Sequence, residues 1–465
     1  MNNLKHILFA SVFLASVSAT AQETYQDTKL AVPQLTGTAR YVGMGGAMEA
    51  LGADISTISS NPAGIGLFRK SQVSISAGVI AQGDAQNSVS YGLTTIDING
   101  KKSHPTFDQP GLLTVTTDGA LAYAEANQYL YGQYQHGYIG TYDFNVSGSI
   151  NNQVWLGLTV GLHDVHYNSN SYYAEDLVDG NAVDSYEQLK ITGTGFDVKA
   201  GVIFRPVKDS PFRIGAYFNS PIFYDLTLHG DNDIRISGNN APATYTEADG
   251  TQAPCYTIGR KGQSIDYDFR LNTPWKVGAS LGHTIGNFLA LGATYEYAWF
   301  SHMDNRVKNS GYYDYWTDSY YESSSSDEAM NADTRANLKG VSTLKLGAEW
   351  KPVDMLSIRL GYNYVSPMFK DGAYRDATIG SNGVYASTST DYTNWKATNR
   401  FTCGVGFNYQ NLTIDVAYQY SAQKGDFYPF MRYVNEKNPD LSNVAQSTQV
   451  KNNRHQLMMT VGYKF

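Results

Sequence analysis

The last thirteen residues, Asn453 to Phe465, alternate strictly. Leu457, Met459, Val461, Tyr463 and Phe465 fall on one side; Gln456, Met458, Thr460, Gly462 and Lys464 fall on the other. Successive side chains of a strand point to opposite faces, so this segment predicts a strand with one apolar, aromatic face. The pattern recurs upstream. Leu412, Ile414, Val416, Tyr418 and Tyr420 alternate with Thr413, Asp415, Ala417 and Gln419. Leu356, Ile358, Leu360, Tyr362 and Tyr364 alternate with Ser357, Arg359, Gly361 and Asn363. The runs 344–350 and 289–299 do the same, with Lys345, Glu349 and Glu296 on the second face. Aromatic residues gather at one end of each run, as a membrane-interface girdle requires. A charge facing lipid at mid-membrane costs about 2–4 kcal/mol, so the charged face must look into a polar interior. The pattern predicts an all-β chain, a transmembrane antiparallel β-barrel.

Connection lengths predict its topology. Tight turns are expected near Asn151-Asn152, Pro206 to Pro211, Ile285-Gly286, Pro352-Val353-Asp354 and Gln410-Asn411. Long polar segments lie at about 166–189, 226–262, 302–338, 366–394 and 423–452. Short and long connections alternate, as in barrels with short turns on one side of the membrane and long loops on the other. Counting back from Phe465 predicts eleven strands beginning near Tyr138. The stretch 71–124 has room for three more, which makes about fourteen strands.

The amino terminus carries an export pattern. Lys5 precedes a short apolar core, Ile7 to Val17, and Ala19-Thr20-Ala21 fits the small-x-small cleavage rule. The expected organisation is therefore a signal peptide at 1–21, a small amino-terminal segment at 22–68 and a barrel at 69–465. The apolar run is shorter than the roughly 20 residues that a spanning helix needs. Composition changes the picture little. The formal charge of −8 argues against a nucleic-acid partner. The 2 Cys form no framework: Cys403 falls on a predicted strand and Cys255 in a long loop. The 36 Tyr suit a membrane interface and the 44 Gly a crowded wall.

Residues 22–68 do not read as membrane strands. The run Ala39-Arg40-Tyr41-Val42-Gly43-Met44-Gly45-Gly46-Ala47 is followed by Asn61-Pro62-Ala63-Gly64. This order resembles the amino-terminal hatch of the FadL family, which includes TodX: outer-membrane transporters of long-chain fatty acids and other hydrophobic compounds. Arg213 to Pro221, Ile358 to Pro367 and Leu271 to Gly278 resemble strands of the same family. The resemblance implies a monomeric fourteen-stranded barrel plugged by the hatch, in the outer membrane of a Gram-negative bacterium. It implies capture of a hydrophobic ligand at outer loops, release by movement of the extreme amino terminus, and lateral exit into outer-membrane lipid. It further implies handling by the barrel-assembly machinery through the final strand ending in Phe465. No cofactor or metal ion is expected. Gly43, Gly45, Gly46, Asn61, Pro62, Ala63 and Gly64 are the candidate hatch residues. They serve either gating or simply the packing of the plug, because both demand the same residue types.

Other readings compete at single sites. Gly43-Met44-Gly45-Gly46 lacks the third glycine and the βαβ setting of a nucleotide loop. His163 and His166 are three apart, so on a strand they face opposite sides and could converge on a ligand only if a bulge or loop intervened; polar residues at an outer rim are expected there. The loop carrying Asp314, Asp318, Glu322, Asp327, Glu328 and Asp333 has no EF-hand spacing. Tyr312, Tyr313, Tyr315 and Trp316 make either an outer-loop landing groove for an apolar ligand or a loop packed on its own rings. Nine His are present, but none joins a recognisable Ser motif such as G-x-S-x-G, so catalysis is not expected. The alternative function is a diffusion porin or surface-binding barrel, against which the segment 22–68 argues.

Overall fold

The computed structural model describes residues 24–32, 34–83, 113–115, 121–123, 126–177, 180–238, 244–246, 252–254, 265–309, 311–376, 379–381, 383, 391–429, 431–432 and 446–465. The expected signal peptide at 1–21, its cleavage point before Gln22, and Cys255 lie outside these residues.

Sixteen strands form one antiparallel sheet. They are β1 (Gln72–Gly83), β2 (Ala126–Ile150), β3 (Val154–Leu177), β4 (Asn181–Phe204), β5 (Arg213–Asn219), β6 (Phe223–Gly238), β7 (Ile265–Asn272) and β8 (Lys276–Ile285). There follow β9 (Leu289–Ala298), β10 (Asp304–Lys308), β11 (Ser324–Ser326), β12 (Val341–Val353), β13 (Leu356–Val365), β14 (Tyr392–Tyr409), β15 (Leu412–Tyr428) and β16 (Thr448–Lys464). The wall runs β1-β16-β15-β14-β13-β12-β9-β8-β5-β4, with β3 on β4 and β2 on β3. Beyond the end of β5, β4 pairs instead with β6, and β7, β10 and β11 follow. The pairs β5–β6, β7–β8 and β9–β10 are thus halves of single crossings. The described crossings are twelve: β1 to β4, those three, and β12 to β16. The two others of an expected fourteen would fall at 84–125, mostly outside the described residues.

The two faces of the wall differ as the alternation demands. Val73, Ile75, Phe144, Val146, Leu360 and Leu457 are exposed on the outward face. Glu296, Lys345, Glu349 and Arg359 are buried on the inward one. An apolar exterior on a long run of paired strands is the arrangement that lets backbone cross lipid with its hydrogen bonds satisfied. The fold is a transmembrane antiparallel β-barrel.

Several expected loops are strand instead. The segment 166–189 continues β3 and β4, which pair without a break from Val154↔Phe204 to Asp176↔Ala182. Tyr172 packs on Tyr186 and donates from its hydroxyl to Asp184 at 2.7 Å, while Ser171 bonds Glu187 at 2.6 Å. These strands are 24 residues long, more than twice the roughly 10 that span a bilayer. Their far halves stand clear of lipid and need no apolar face, so alternation fades there. Likewise 226–238 belongs to β6, and 302–338 holds β10, β11 and a helix (Glu328–Asn337). The turn expected at 352–354 sits at Asp354–Met355; Pro352 stays in β12.

A line of irregularity crosses the wall. Between their paired stretches β4 has residues 197–198, the β5–β6 crossing 220–222, β7–β8 273–275, and β9–β10 299–303. Pro221 and Pro274 have no N–H to give the ladder. Side chains patch the gap: Ser220 Oγ accepts from the Val198 N–H at 2.9 Å, and Thr273 Oγ1 from the Ile222 N–H at 2.8 Å. Extra residues bend strands, and the longest of these unpaired stretches is 299–303, on β9–β10.

Candidate functional site

Residues 24–67 fill the barrel. The helices α1 (Thr24–Ala31) and α2 (Ala39–Gly43) are followed by 3₁₀ turns at Ile55–Ser59 and Pro62–Leu67; α3 denotes the later helix Glu328–Asn337. The start of α2 and of each of the two 3₁₀ turns is capped by a polar side chain, the local reason that these short pieces form. Thr38 Oγ1 accepts from the Tyr41 N–H at 3.1 Å, Asp54 Oδ1 from Ser56 at 3.0 Å, and Asn61 Oδ1 from Ala63 at 3.2 Å. Thr38 also donates to Asp54 at 2.9 Å, which ties the first cap to the second. Pro62 opens its turn at the position where a missing N–H costs nothing.

The candidate hatch residues are brought together against the wall. Asn61 Nδ2 donates to the Glu49 carbonyl at 3.0 Å and to Val202 of β4 at 3.3 Å. The Gly45 carbonyl accepts from Asn363 Nδ2 at 3.2 Å, and the Gly43 carbonyl from Thr402 Oγ1 at 3.2 Å. Gly45 has φ +63° and Gly46 φ +80°, so this turn passes through the left-handed region that glycine tolerates. Ala63 is wholly buried, and a Cβ on Gly64 would press on Thr57.

The wall's half of this contact is a belt of glycines. Gly157, Gly201, Gly215, Gly282, Gly292, Gly347, Gly361 and Gly404 lie on β3, β4, β5, β8, β9, β12, β13 and β14, one inward position on each of eight neighbouring crossings. Gly282↔Gly292, Gly292↔Gly347 and Gly347↔Gly361 are direct cross-strand pairs, as is Gly157↔Gly201. A Cβ on Gly157 would strike Pro62, on Gly201 Asn61, on Gly292 Ala47, on Gly347 Met44 and on Gly361 Gly45. The plug therefore rests backbone to backbone on the wall. Sequence reasoning missed the belt, although each glycine stood at an inward position of its own alternating run.

Charges lock the same interface. Arg40 grips Glu349 in a two-pronged pair at 2.9 and 3.0 Å. Glu349 also takes Arg359 at 2.6 Å, and Arg359 takes Asp415 at 2.6 Å. Burial alone lowers the Arg40 pKa, but the Glu349 carboxylate outweighs it and holds the value above the ordinary one. Glu49, fully buried, accepts from Lys345 at 2.8 Å, Thr294 at 2.7 Å and the Tyr41 hydroxyl at 3.0 Å. Burial and the Glu49 charge push the Tyr41 hydroxyl up, so it stays a donor. On the opposite side Lys199 joins Asp143 at 3.0 Å and Asp197 at 2.9 Å, and Ser59 reaches Asp143 at 2.5 Å. Lys345→Met would leave Glu49 buried without its cation, a change that costs about 3–5 kcal/mol. A clearly lower unfolding temperature is expected; a wild-type melt would remove the cluster from any structural role. Among the described residues no group of His, Cys, Asp and Glu could hold a metal ion.

α1 occupies the space beyond this fixed layer. Every residue of α1 except Lys29 is buried. Tyr25 stacks on Phe369 with centroids 4.9 Å apart, lies 5.0 Å from Tyr392, and donates to Asn394 at 2.9 Å. Thr24 donates to Asp333 of α3 at 2.7 Å. With Phe300, Met303, Leu338 and Met368, Tyr25 belongs to an apolar cluster walled by the outer connections. Leu30 enters a second cluster with Val165, Ile191, Tyr224, Leu226 and Phe269. Lys29 is open to the barrel interior, where burial opposes its charge while Tyr167 and Asp391 raise its pKa on balance.

The remaining candidates separate. His163 points inward to Asp197 at 3.3 Å, not to an outer rim, whereas His166 is half-exposed beside Asp164 at 3.3 Å. The two histidines do not meet. Tyr312–Asp314 pairs with Ser319–Tyr321 in a hairpin of its own. Tyr313 packs edge-on to Tyr315, yet Tyr315 is 87% and Trp316 98% exposed. The loop packs on its own rings only in part.

No protein-family model matches the chain, and no curated protein matches it. Solved structures do. A FadL homologue from Pseudomonas aeruginosa is similar with TM-score 0.55 and 16% identity, over 94% of this chain and 99% of that one. The Pseudomonas putida toluene transporter TodX gives TM-score 0.47 and 12% identity, over 93% and 99%. The Ralstonia pickettii toluene transporter TbuX gives 0.41 and 13%, over 93% and 100%. The first of these likenesses, at nearly full length on both sides, shows that the chain has the FadL fold.

Proposed function

We propose that the chain is a FadL-family transporter that carries hydrophobic molecules across the outer membrane of a Gram-negative bacterium. The observation that carries this reading is the division of labour inside the barrel. A plug is fastened to the wall by glycines and ion pairs, and above it the first described helix sits in an apolar chamber as a removable occupant. A porin needs neither. Burying a ligand methylene in such a chamber is worth about 0.8 kcal/mol, so a long apolar molecule competes well for the space that Tyr25 and Leu30 fill. Its departure displaces nothing from the fixed layer, and exit into lipid is downhill. Tyr315 and Trp316 are the proposed first contact for such a ligand outside the membrane. The protein works as a monomer, inserted by the barrel-assembly machinery through the strand ending at Phe465.

The test is native mass spectrometry with lipid extraction on the detergent-purified barrel. A long-chain acid, hydrocarbon or comparable apolar molecule is expected to co-purify. An empty barrel that conducts ions steadily in a planar bilayer would overturn the reading in favour of a porin.

A further inference from the structure

The turn between β4 and β5, residues 205–212, is longer than the other tight ones at 151–153, 286–288, 354–355 and 410–411. Pro206 and Pro211 fix φ near its two ends. Between them the Ser210 N–H donates to the Val207 carbonyl at 3.0 Å, and Ser210 Oγ accepts from the Phe212 N–H at 3.2 Å. The turn borders a cavity of about 470 Å³, lined by Arg205, Lys208, Asp209, Ser210, Pro211 and Arg213. Both arginines stand on the inward face, at the foot of the plug. Arg213 Nη1 donates to the Leu51 carbonyl at 2.7 Å. Arg205 lies over Trp155, which is buried against Ala63 and Leu67.

The charges of this cavity are unbalanced. Cζ of Arg205 and of Arg213 is 5.9 and 5.8 Å from the centroid of the same Trp155 ring, within cation–π reach. Arg69, just past the last turn of the plug, is near enough for its charge, like that of Arg205, to act on Arg213. Among the described residues, none of Arg69, Arg205, Lys208 and Arg213 is in an ion pair. Asp209 is exposed and pairs with none of them. Nε of Arg205 and Nε of Arg213 are buried without a hydrogen-bond partner. By contrast Arg40, Lys199, Lys345 and Arg359 each hold a carboxylate. Gathered like charges and unmade buried hydrogen bonds both cost free energy, and an anion in the cavity removes both costs.

We propose that this cavity binds a doubly charged oxyanion of the phosphate class, taken from the aqueous side at the tight-turn end of the barrel. The planar forks of Arg205 and Arg213 match phosphate oxygens by charge-assisted hydrogen bonds. Lys208 adds a third charge, and the Ser210 hydroxyl, whose oxygen already accepts, has its hydrogen to donate. A carboxylate brings one negative charge and would leave cations unbalanced, whereas a phosphomonoester carries about −1.5 to −2 near neutral pH. A lipid head would have to leave the membrane to reach an inward face. Because Arg213 also holds Leu51 of the plug, the anion is expected to stabilise the plugged barrel. The site does not depend on what the barrel transports.

The experiment titrates the whole detergent-purified barrel with inorganic phosphate by isothermal calorimetry, at near-neutral pH and constant ionic strength set by chloride. Wild type is expected to bind one phosphate and to unfold at a higher temperature with it. Arg205→Gln is expected to weaken binding about tenfold, the effect of removing a charge-assisted hydrogen bond. Lys208→Gln, on an exposed turn residue, leaves the fold untouched and is expected to weaken binding by a smaller factor. No saturable binding by wild type overturns the proposal without any variant, so a misfolded Arg205→Gln cannot shelter it. Unchanged affinity in both variants also overturns it. Equal affinity for acetate would assign the cavity to carboxylates, such as those of an acidic peptide, and overturn phosphate. Tighter binding of glycerol phosphate than of phosphate would support a phosphomonoester as the occupant, and the reverse order the free anion. Phosphatidic acid retained in nanodiscs and not displaced by phosphate would assign the cavity to a lipid head and overturn the soluble anion. None of these failures touches the transport reading, which rests on the chamber of α1.

Discussion

Deletion of Thr24 to Val32 is expected to reduce uptake of a hydrophobic ligand to the level of cells lacking the protein, with the barrel still assembled. The structural reason is that the fixed and movable parts separate between Val32 and Thr38. From Thr38 onward the chain is capped, ion-paired and pressed on the wall. Before it, α1 holds on mainly by rings and a few polar contacts. Each ring pair of Tyr25, stacked on Phe369 and tilted on Tyr392, adds roughly 0.5–1.5 kcal/mol, a load that an incoming ligand can match. Without α1 the chamber collapses or fills with water, and no binding step is coupled to release. Uptake is measured with a fluorescent long-chain acid and assembly by heat-shifted gel migration. Normal uptake by a correctly assembled deletion would remove α1 from the mechanism. Loss of assembly would show instead that α1 is needed to build the barrel.

Gly292→Val is expected to have the second largest effect, and on a different observable. The new side chain would drive into the Ala47 carbonyl, and neither partner can yield, because Gly292 sits mid-strand between Gly282 and Gly347. Overpacking of this kind commonly costs about 1–3 kcal/mol, and more where backbone is struck. The plug should lift from the wall on that side, so the barrel gains steady ion conductance and melts at lower temperature. Gly148→Ala is the control, since a Cβ there meets nothing within 4 Å. A silent, wild-type-stable Gly292→Val barrel would show that the belt does not hold the plug.

Much of the wall was legible in the sequence because lipid imposes one rule on every crossing. Leu344, Leu346 and Trp350 had to face out if Lys345 and Glu349 faced in, and they do. The rule stops where lipid stops. Asn168, Ser169, Asn170 and Ser171 are polar on both faces and read as loop, although the ladder runs through them. α1 was opaque for the opposite reason. Thr24-Tyr25-Gln26-Asp27-Thr28 shows no apolar stripe, because a helix enclosed by a barrel has no solvent side. The glycine belt was visible as composition but not as a site, since only register reveals that Gly282, Gly292, Gly347 and Gly361 are side by side. Asn61 and Pro62 stood out by resemblance; Glu49, which anchors the same turn to Lys345, had no motif to mark it.

The ion clusters at the plug have a consequence for biogenesis. Arg359, Glu349, Lys345 and Glu49 are all nearly out of reach of solvent, and each needs a partner from the other component or from the strand beside it. Without the plug, Glu349 loses Arg40 and Lys345 loses Glu49, while the Glu349–Arg359–Asp415 chain stays paired within the wall. The plug-to-wall pairs are therefore expected to favour closure of the wall around a plug already in place. On that expectation the segment 24–67 folds before the strands close around it, and the last strand meets it where Thr460 accepts the Ala39 N–H across 421 residues of chain. The amino terminus would then be a mandrel for the barrel, and a plug mutation is expected to register first as slow or failed export rather than as altered transport.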